Sequence, residues 1–129
     1  MAPAVVAPKV PTIVLQPSGR AAGRARRFVA EWLRRWEFGD DSDALVIVSE
    51  LVTNSLVHAD GLIVVRIERD EHDGCPVIEV WDGDDGRPEI QPADGAAECG
   101  RGLCLVSALA SAWGTRPLRG GGKVTWAKC

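Results

Sequence analysis

The sequence predicts an α/β (α+β) two-layer sandwich: one mixed, mainly antiparallel sheet with helices on one face. Three observations predict it. Short β-branched runs and helical periods follow in the order strand, helix, helix, strand, strand, long loop, helix, strand, strand. The fourth and fifth of these elements, both strands, are joined by a polar turn into an antiparallel hairpin. At 129 residues the chain is long enough to bury roughly two-thirds of its unfolded surface, but around one core only. Residues 12–129 are therefore expected to form a single domain, preceded by a Pro/Ala-rich tail at 1–11.

Thr12–Gln16 is the first strand, closed by Pro17-Ser18-Gly19. From Ala21 to Trp36, Ala25, Phe28, Val29, Trp32, Leu33 and Trp36 recur at helical spacing with arginines between them, and Gly39-Asp40-Asp41 breaks the pattern. Ala44–Ala59 (ALVIVSELVTNSLVHA) is the central helix: it lacks Gly and Pro, and Asp40, Asp41, Ser42 and Asp43 offer N-cap and first-turn acids. Leu62–Glu68 and Val77–Trp81 are the hairpin strands. Asp82–Gly100 is a polar stretch with no apolar period, the composition of a lid or binding loop. Gly102–Ala112 reads as a helix, and Trp113–Leu118 and Lys123–Lys128 as the closing strands.

The central helix carries apolar residues on nearly every side, the pattern of a buried helix. Yet Glu50, Asn54 and His58 stand four apart, and at about 100° per residue each step drifts only about 40°, so the three line one stripe. An unpaired carboxylate and amide are expensive to bury, so the stripe faces either a cleft holding water, metal or a polar ligand, or a satisfied polar pair with His58 as a C-terminal cap.

The net charge of −3 hides a division along the chain. Residues 1–39 hold seven Lys/Arg and two Glu, residues 40–98 three Arg and sixteen Asp/Glu, and residues 99–129 five Lys/Arg. The acidic middle argues against direct nucleic-acid binding, while the basic ends can meet phosphate. Hydrophobic content of 46% with only short apolar runs excludes a membrane span. Met1–Pro11 lacks the basic and apolar regions of a signal peptide, so a cytoplasmic protein is expected. Cys75, Cys99, Cys104 and Cys129 form no zinc-ligand spacing, and reduced thiols are expected of them.

Two further signals join the stripe. Asp82 ends a hydrophobic strand before Gly83, where a carboxylate can accept a hydrogen bond from an exocyclic amine of a base. Gly100-Arg101-Gly102 opens a helix, where backbone N–H groups can approach a phosphate. The amide oxygen of Asn54 is a hard ligand that suits Mg²⁺. Singly these are turns, helix starts and core polar groups; in this order they describe a nucleotide site.

At these residues the sequence resembles the GHKL (Bergerat-fold) ATPases, and among them the stand-alone anti-sigma-factor serine/threonine kinases of actinobacterial type. The resemblance rests on Glu50-Leu51-Val52-Thr53-Asn54 with Ala59, on Asp82, on Gly100-Arg101-Gly102-Leu103 with Leu105-Val106, and on Gly121-Gly122-Lys123 to Trp126-Ala127. It spans residues 12–128 and implies a histidine-kinase-like ATPase fold. It also implies Mg²⁺ on Asn54, the adenine amino group on Asp82, phosphates at Gly100, Arg101, Gly102 and Leu103, and Glu50 as the general base toward a serine of a partner protein. Arg101 either neutralises phosphate charge or ion-pairs with the lid. His58, Lys123 and Thr125 are further candidates. The cofactors implied are ATP or ADP and Mg²⁺; the partners are a sigma factor, an anti-sigma antagonist, or both. Phe28, Trp32 and Trp36 exceed what one sheet face covers, which suggests a homodimer or a tight complex.

Two departures stand out. Asp84 occupies a position where such chains usually carry Gly, and Lys123-Val124-Thr125-Trp126 replaces the usual Lys-Thr-Val-Trp, which moves the hydroxyl to the other strand face. Three functions compete: an ATP/Mg²⁺-dependent protein kinase, a nucleotide-sensitive protein clamp without catalysis, and the catalytic half of a histidine kinase. The last ranks lowest, because neither His58 nor His72 lies in a long helical hairpin.

Overall fold

The computed structural model describes residues 10–83 and 102–129. The element order is β1 (Thr12–Leu15), α1 (Ala21–Arg35), α2 (Ser42–His58), β2 (Ile63–Arg69), β3 (Pro76–Asp82), α3 (Gly102–Leu109), β4 (Ala112–Pro117) and β5 (Lys123–Lys128). Every expected element is present, with ends shifted by at most three residues. The tail at 1–9 and all of the expected lid beyond Gly83, including Asp84, Gly100 and Arg101, lie outside the described residues.

The five strands form one sheet in the order β1-β2-β3-β5-β4. Where the sequence predicts a mixed, mainly antiparallel sheet, all four described pairings are antiparallel. Side chains directly opposite one another share a sheet face. Ile63, Val65 and Ile67 of β2 and Ile78 and Val80 of β3 point inward and are fully buried. Helix α1 meets that face at β1 and β2, α2 at β3, and α3 packs on α2 and β4.

Helix α1 supplies Ala21, Ala25, Val29 and Leu33 to the core, one residue every four positions, so a single stripe is buried and the arginines between face solvent. Its aromatic residues are better covered than the sequence suggests. Phe28, Trp32 and Trp36 are half-buried against the core, and the guanidinium groups of Arg35 and Arg69 lie over the Trp32 and Trp36 rings at 4.8 and 5.0 Å. The excess apolar surface on which the homodimer expectation rests is thereby reduced.

A Schellman arrangement closes α1: Glu37 N–H donates to Arg34 O at 3.0 Å and Phe38 N–H to Leu33 O at 2.9 Å. It needs a left-handed residue, and Glu37 supplies it at φ 53°. Since a Cβ is disfavoured there and glycine is not, Glu37→Gly is expected to raise stability by up to about 1 kcal/mol. Urea unfolding checks this, and a destabilised variant would show that the Glu37 side chain contributes more than its strain.

Helix α2 is buried on the side of Ala44, Ile47, Val48, Leu51, Val52 and Ser55. It is not buried all round, because Val46 and Val57 on its outer side are 38% and 71% exposed. The flanking helices cover two sides of it and leave a third open. Its start is held from outside the helix: Asp40 Oδ1 accepts from the Ser42 N–H at 2.9 Å and from its hydroxyl at 2.5 Å. The Ser42 hydroxyl, with its N–H, holds the Asp40 carboxyl below its ordinary range.

The cysteines correct one expectation. Cys75 and Cys129 are free, but Cys104 is disulfide-bonded rather than reduced. Both free thiols are held in the protonated form. The bond to Asp73 raises Cys75, and burial pushes Cys129 up to about 11. Among the described residues no helix is long and apolar enough to cross a membrane.

Candidate nucleotide site

Asp82 is the last residue of β3, and three segments converge on it. From α2, the Ser55 hydroxyl donates to Asp82 Oδ2 at 2.5 Å. From β5, Lys123 stands directly opposite Asp82 in the register, and its ammonium lies 3.1 Å from both carboxylate oxygens. From the β4–β5 turn, Gly122 packs on the Asp82 peptide so closely that a Cβ would come within 2.5 Å of the carbonyl oxygen. Only glycine fits at that contact, and its φ of +89° also favours glycine. The side chains of Asp82 and Lys123 are 1% and 3% exposed, so this ion pair is largely shielded from the screening that weakens surface pairs.

The Ser55–Asp82 bond ties the end of β3 to the polar stripe of α2. Asn54, next to Ser55 in the chain, is half-buried, and its Oδ1 is buried without a hydrogen-bond partner among the described residues. An orphaned buried amide oxygen costs free energy, about 1–3 kcal/mol, that a ligand at that point would recover. Glu50, one turn earlier, is also half-buried and makes no hydrogen bond or ion pair among the described residues. His58 sits at the exposed end of the stripe. The last helical bond runs from the Ala59 N–H to Ser55 O at 2.8 Å, and among the described residues the His58 side chain makes no capping hydrogen bond.

Gly102 begins α3, and Leu103 packs, half-buried, against the core. Gly100 and Arg101 lie outside the described residues, so the phosphate-facing part of the expected loop is represented here by the start of α3 alone. Thr125 does share the inner face with Lys123, opposite Val80 and Thr115. It is buried, and its hydroxyl lies 3.5 Å from that of Thr115, which accounts for it without a ligand. Val124, where related chains place the hydroxyl, is on the opposite face.

Sequence reasoning missed Ser55 and Gly122 as parts of the site and held Lys123 only as a further candidate. Ser55 carried a usable signal, a hydroxyl on the apolar side of α2 where a polar group must find a partner. For Lys123 the signal was its facing position to Asp82, which exists only once β3 and β5 are paired.

Asn54 Oδ1, a neutral, hard amide oxygen that is buried and unsatisfied among the described residues, is a donor that fits Mg²⁺. Mg²⁺ takes few protein ligands and is held largely by substrate phosphates and water. Two of the signals separated in sequence are brought together: α2 presents Glu50 and Asn54, and Ser55 of the same helix binds Asp82; Gly100 and Arg101 lie outside the described residues. No curated protein matches the chain at a significant level. The family model described as the histidine kinase-like ATPase domain matches residues 15–128, nearly the whole chain, and together with the antiparallel sheet and three helices it shows that this protein belongs to that family.

Proposed function

We propose that this protein is an ATP/Mg²⁺-dependent protein kinase that phosphorylates a serine or threonine of a regulatory partner, in the manner of anti-sigma-factor kinases. The observation that supports the reading best is on α2: among the described residues the buried Asn54 Oδ1 has no hydrogen-bond partner, and the half-buried Glu50 stands one turn from it. A buried amide oxygen in a core with no ligand to hold is ordinarily satisfied.

Each residue has a role in this reading. Asp82 accepts a hydrogen bond from the adenine amino group, and Asn54 Oδ1 supplies a ligand to the metal. Mg²⁺, when bound, would screen the phosphate oxygens and favour charge on the leaving group. Glu50 accepts the proton of the partner's hydroxyl as its oxygen attacks the γ-phosphorus, the bond to the β–γ bridging oxygen breaks and ADP leaves. The N-terminus of α3 offers its backbone N–H groups to phosphate, and the resemblance assigns Gly100 and Arg101 to phosphate as well. The partner, a sigma factor or its antagonist, meets the arginines of α1, where Arg27, Arg34 and Phe38 line an open groove. Such a protein works in the cytoplasm.

The chain is expected to bind ATP or ADP with Mg²⁺ in preference to guanine nucleotides. Asn54→Ala should weaken the metal-dependent part of that affinity about 10–100-fold, the loss expected of one charge-assisted contact. Calorimetry with and without Mg²⁺ reads both quantities. No heat with millimolar ATP or ADP would overturn the assignment. Binding by the wild type without phosphoryl transfer to any co-encoded partner would leave a nucleotide-sensitive clamp, a function that needs no base at Glu50.

A further inference from the structure

We infer that Lys123 sets base selectivity at this site, acting on the purine as a positioning residue through Asp82; this rests on the adenine-reading role proposed for Asp82. The ammonium spans both carboxylate oxygens at 3.1 Å while the Ser55 hydroxyl holds Oδ2 at 2.5 Å. Three contacts from two elements fix the rotation of the carboxylate plane, and a carboxylate only accepts hydrogen bonds. An acceptor-only carboxylate takes a hydrogen bond from an amino group at purine C6 and repels the oxo oxygen that hypoxanthine and guanine carry there. Without the ammonium the carboxylate can turn out of that plane, and the discrimination between amino and oxo weakens.

Packing alone does not explain a lysine at this position. Its side chain is 3% exposed, and an apolar residue of similar length would fill the same space without the desolvation cost of an ammonium. What the lysine adds is charge and hydrogen bonding, and among the described residues both reach Asp82. Val80, Ile78 and Ala127 on the inner face of the same two strands are fully buried apolar residues, and Thr125 beside Lys123 carries a buried hydroxyl. The Asp82–Lys123 pair brings charge to the end of that face.

The test is equilibrium binding of ATP and of inosine triphosphate, each with Mg²⁺, to the full chain and to its Lys123→Met and Lys123→Gln variants, with thermal melting as a folding control. Wild-type protein should prefer ATP. In both variants the ratio of ATP to inosine triphosphate affinity should fall by about tenfold or more, the size of one charge-assisted hydrogen bond. Parallel weakening of both nucleotides, or no change in either, would show a merely structural lysine and overturn the inference while leaving the adenine site intact. Absence of ATP binding by the wild type would instead overturn the reading beneath it, and the inference with it. Should neither lysine variant fold, Ser55→Ala decides: a narrowed ratio supports selectivity set by the hold on Asp82, and an unchanged ratio rejects it.

Discussion

Glu50→Gln is expected to bind Mg-ATP as the wild type does and to lose phosphoryl transfer by about 10²–10⁴-fold, the usual worth of a positioned general base. The substitution keeps the shape of the side chain and removes only its charge and its capacity to take a proton. Because Glu50 makes no hydrogen bond or ion pair among the described residues, the amide disturbs no partner there, and the fold and the nucleotide contacts of Asn54 and Asp82 should survive. Both quantities must come from one preparation, affinity by titration and transfer by labelled phosphate. A variant with full transfer would remove the base from the mechanism. A variant that also lost binding would show that Glu50 holds the site together rather than acting in the chemical step.

Gly122→Ala carries the largest expected effect on stability, a loss of about 2–5 kcal/mol from left-handed strain and overpacking together. The clash is between main-chain atoms: the new Cβ would lie 2.5 Å from the carbonyl oxygen of Asp82 and 3.5 Å from the Cα of Gly83. No side-chain rotation relieves it, so the β4–β5 turn must move away from the end of β3. Lys123 follows Gly122 directly, and the movement should loosen its contact with Asp82, so nucleotide affinity should fall along with the melting temperature. Chemical denaturation and calorimetry on the same variant separate the two losses. Wild-type stability in Gly122→Ala would mean that the turn is free to relax and that the close approach is incidental. The glycines at positions 120 and 121, also at positive φ, belong to the same turn.

The architecture was legible along the chain because it depends on local periodicity. The four-residue spacing of Ala21, Ala25, Val29 and Leu33 and the β-branched runs of β2 and β3 specify helix, helix and hairpin before any tertiary contact forms. The stripe of Glu50, Asn54 and His58 was legible for the same reason, since helical geometry alone aligns residues four apart. His58 shows the limit of that argument. A shared helix face does not fix a shared environment, and the last turn of α2 leaves its histidine in solvent.

By itself the sequence determined the order of elements, the polar stripe in an apolar helix, and the strand-end aspartate. Each follows from backbone periods and from the cost of burying polar groups. Only the tertiary structure decided that all described pairings are antiparallel, that arginines cover the tryptophans of α1 and that Cys104 is bonded. It alone brought Ser55, Gly122 and Lys123 to Asp82. The physical reason is separation along the chain: Ser55 precedes Asp82 by 27 residues and Lys123 follows it by 41. No local propensity spans those distances. The register of β3 on β5 and the packing of α2 on β3 set the contacts, and both come from burying one shared apolar face.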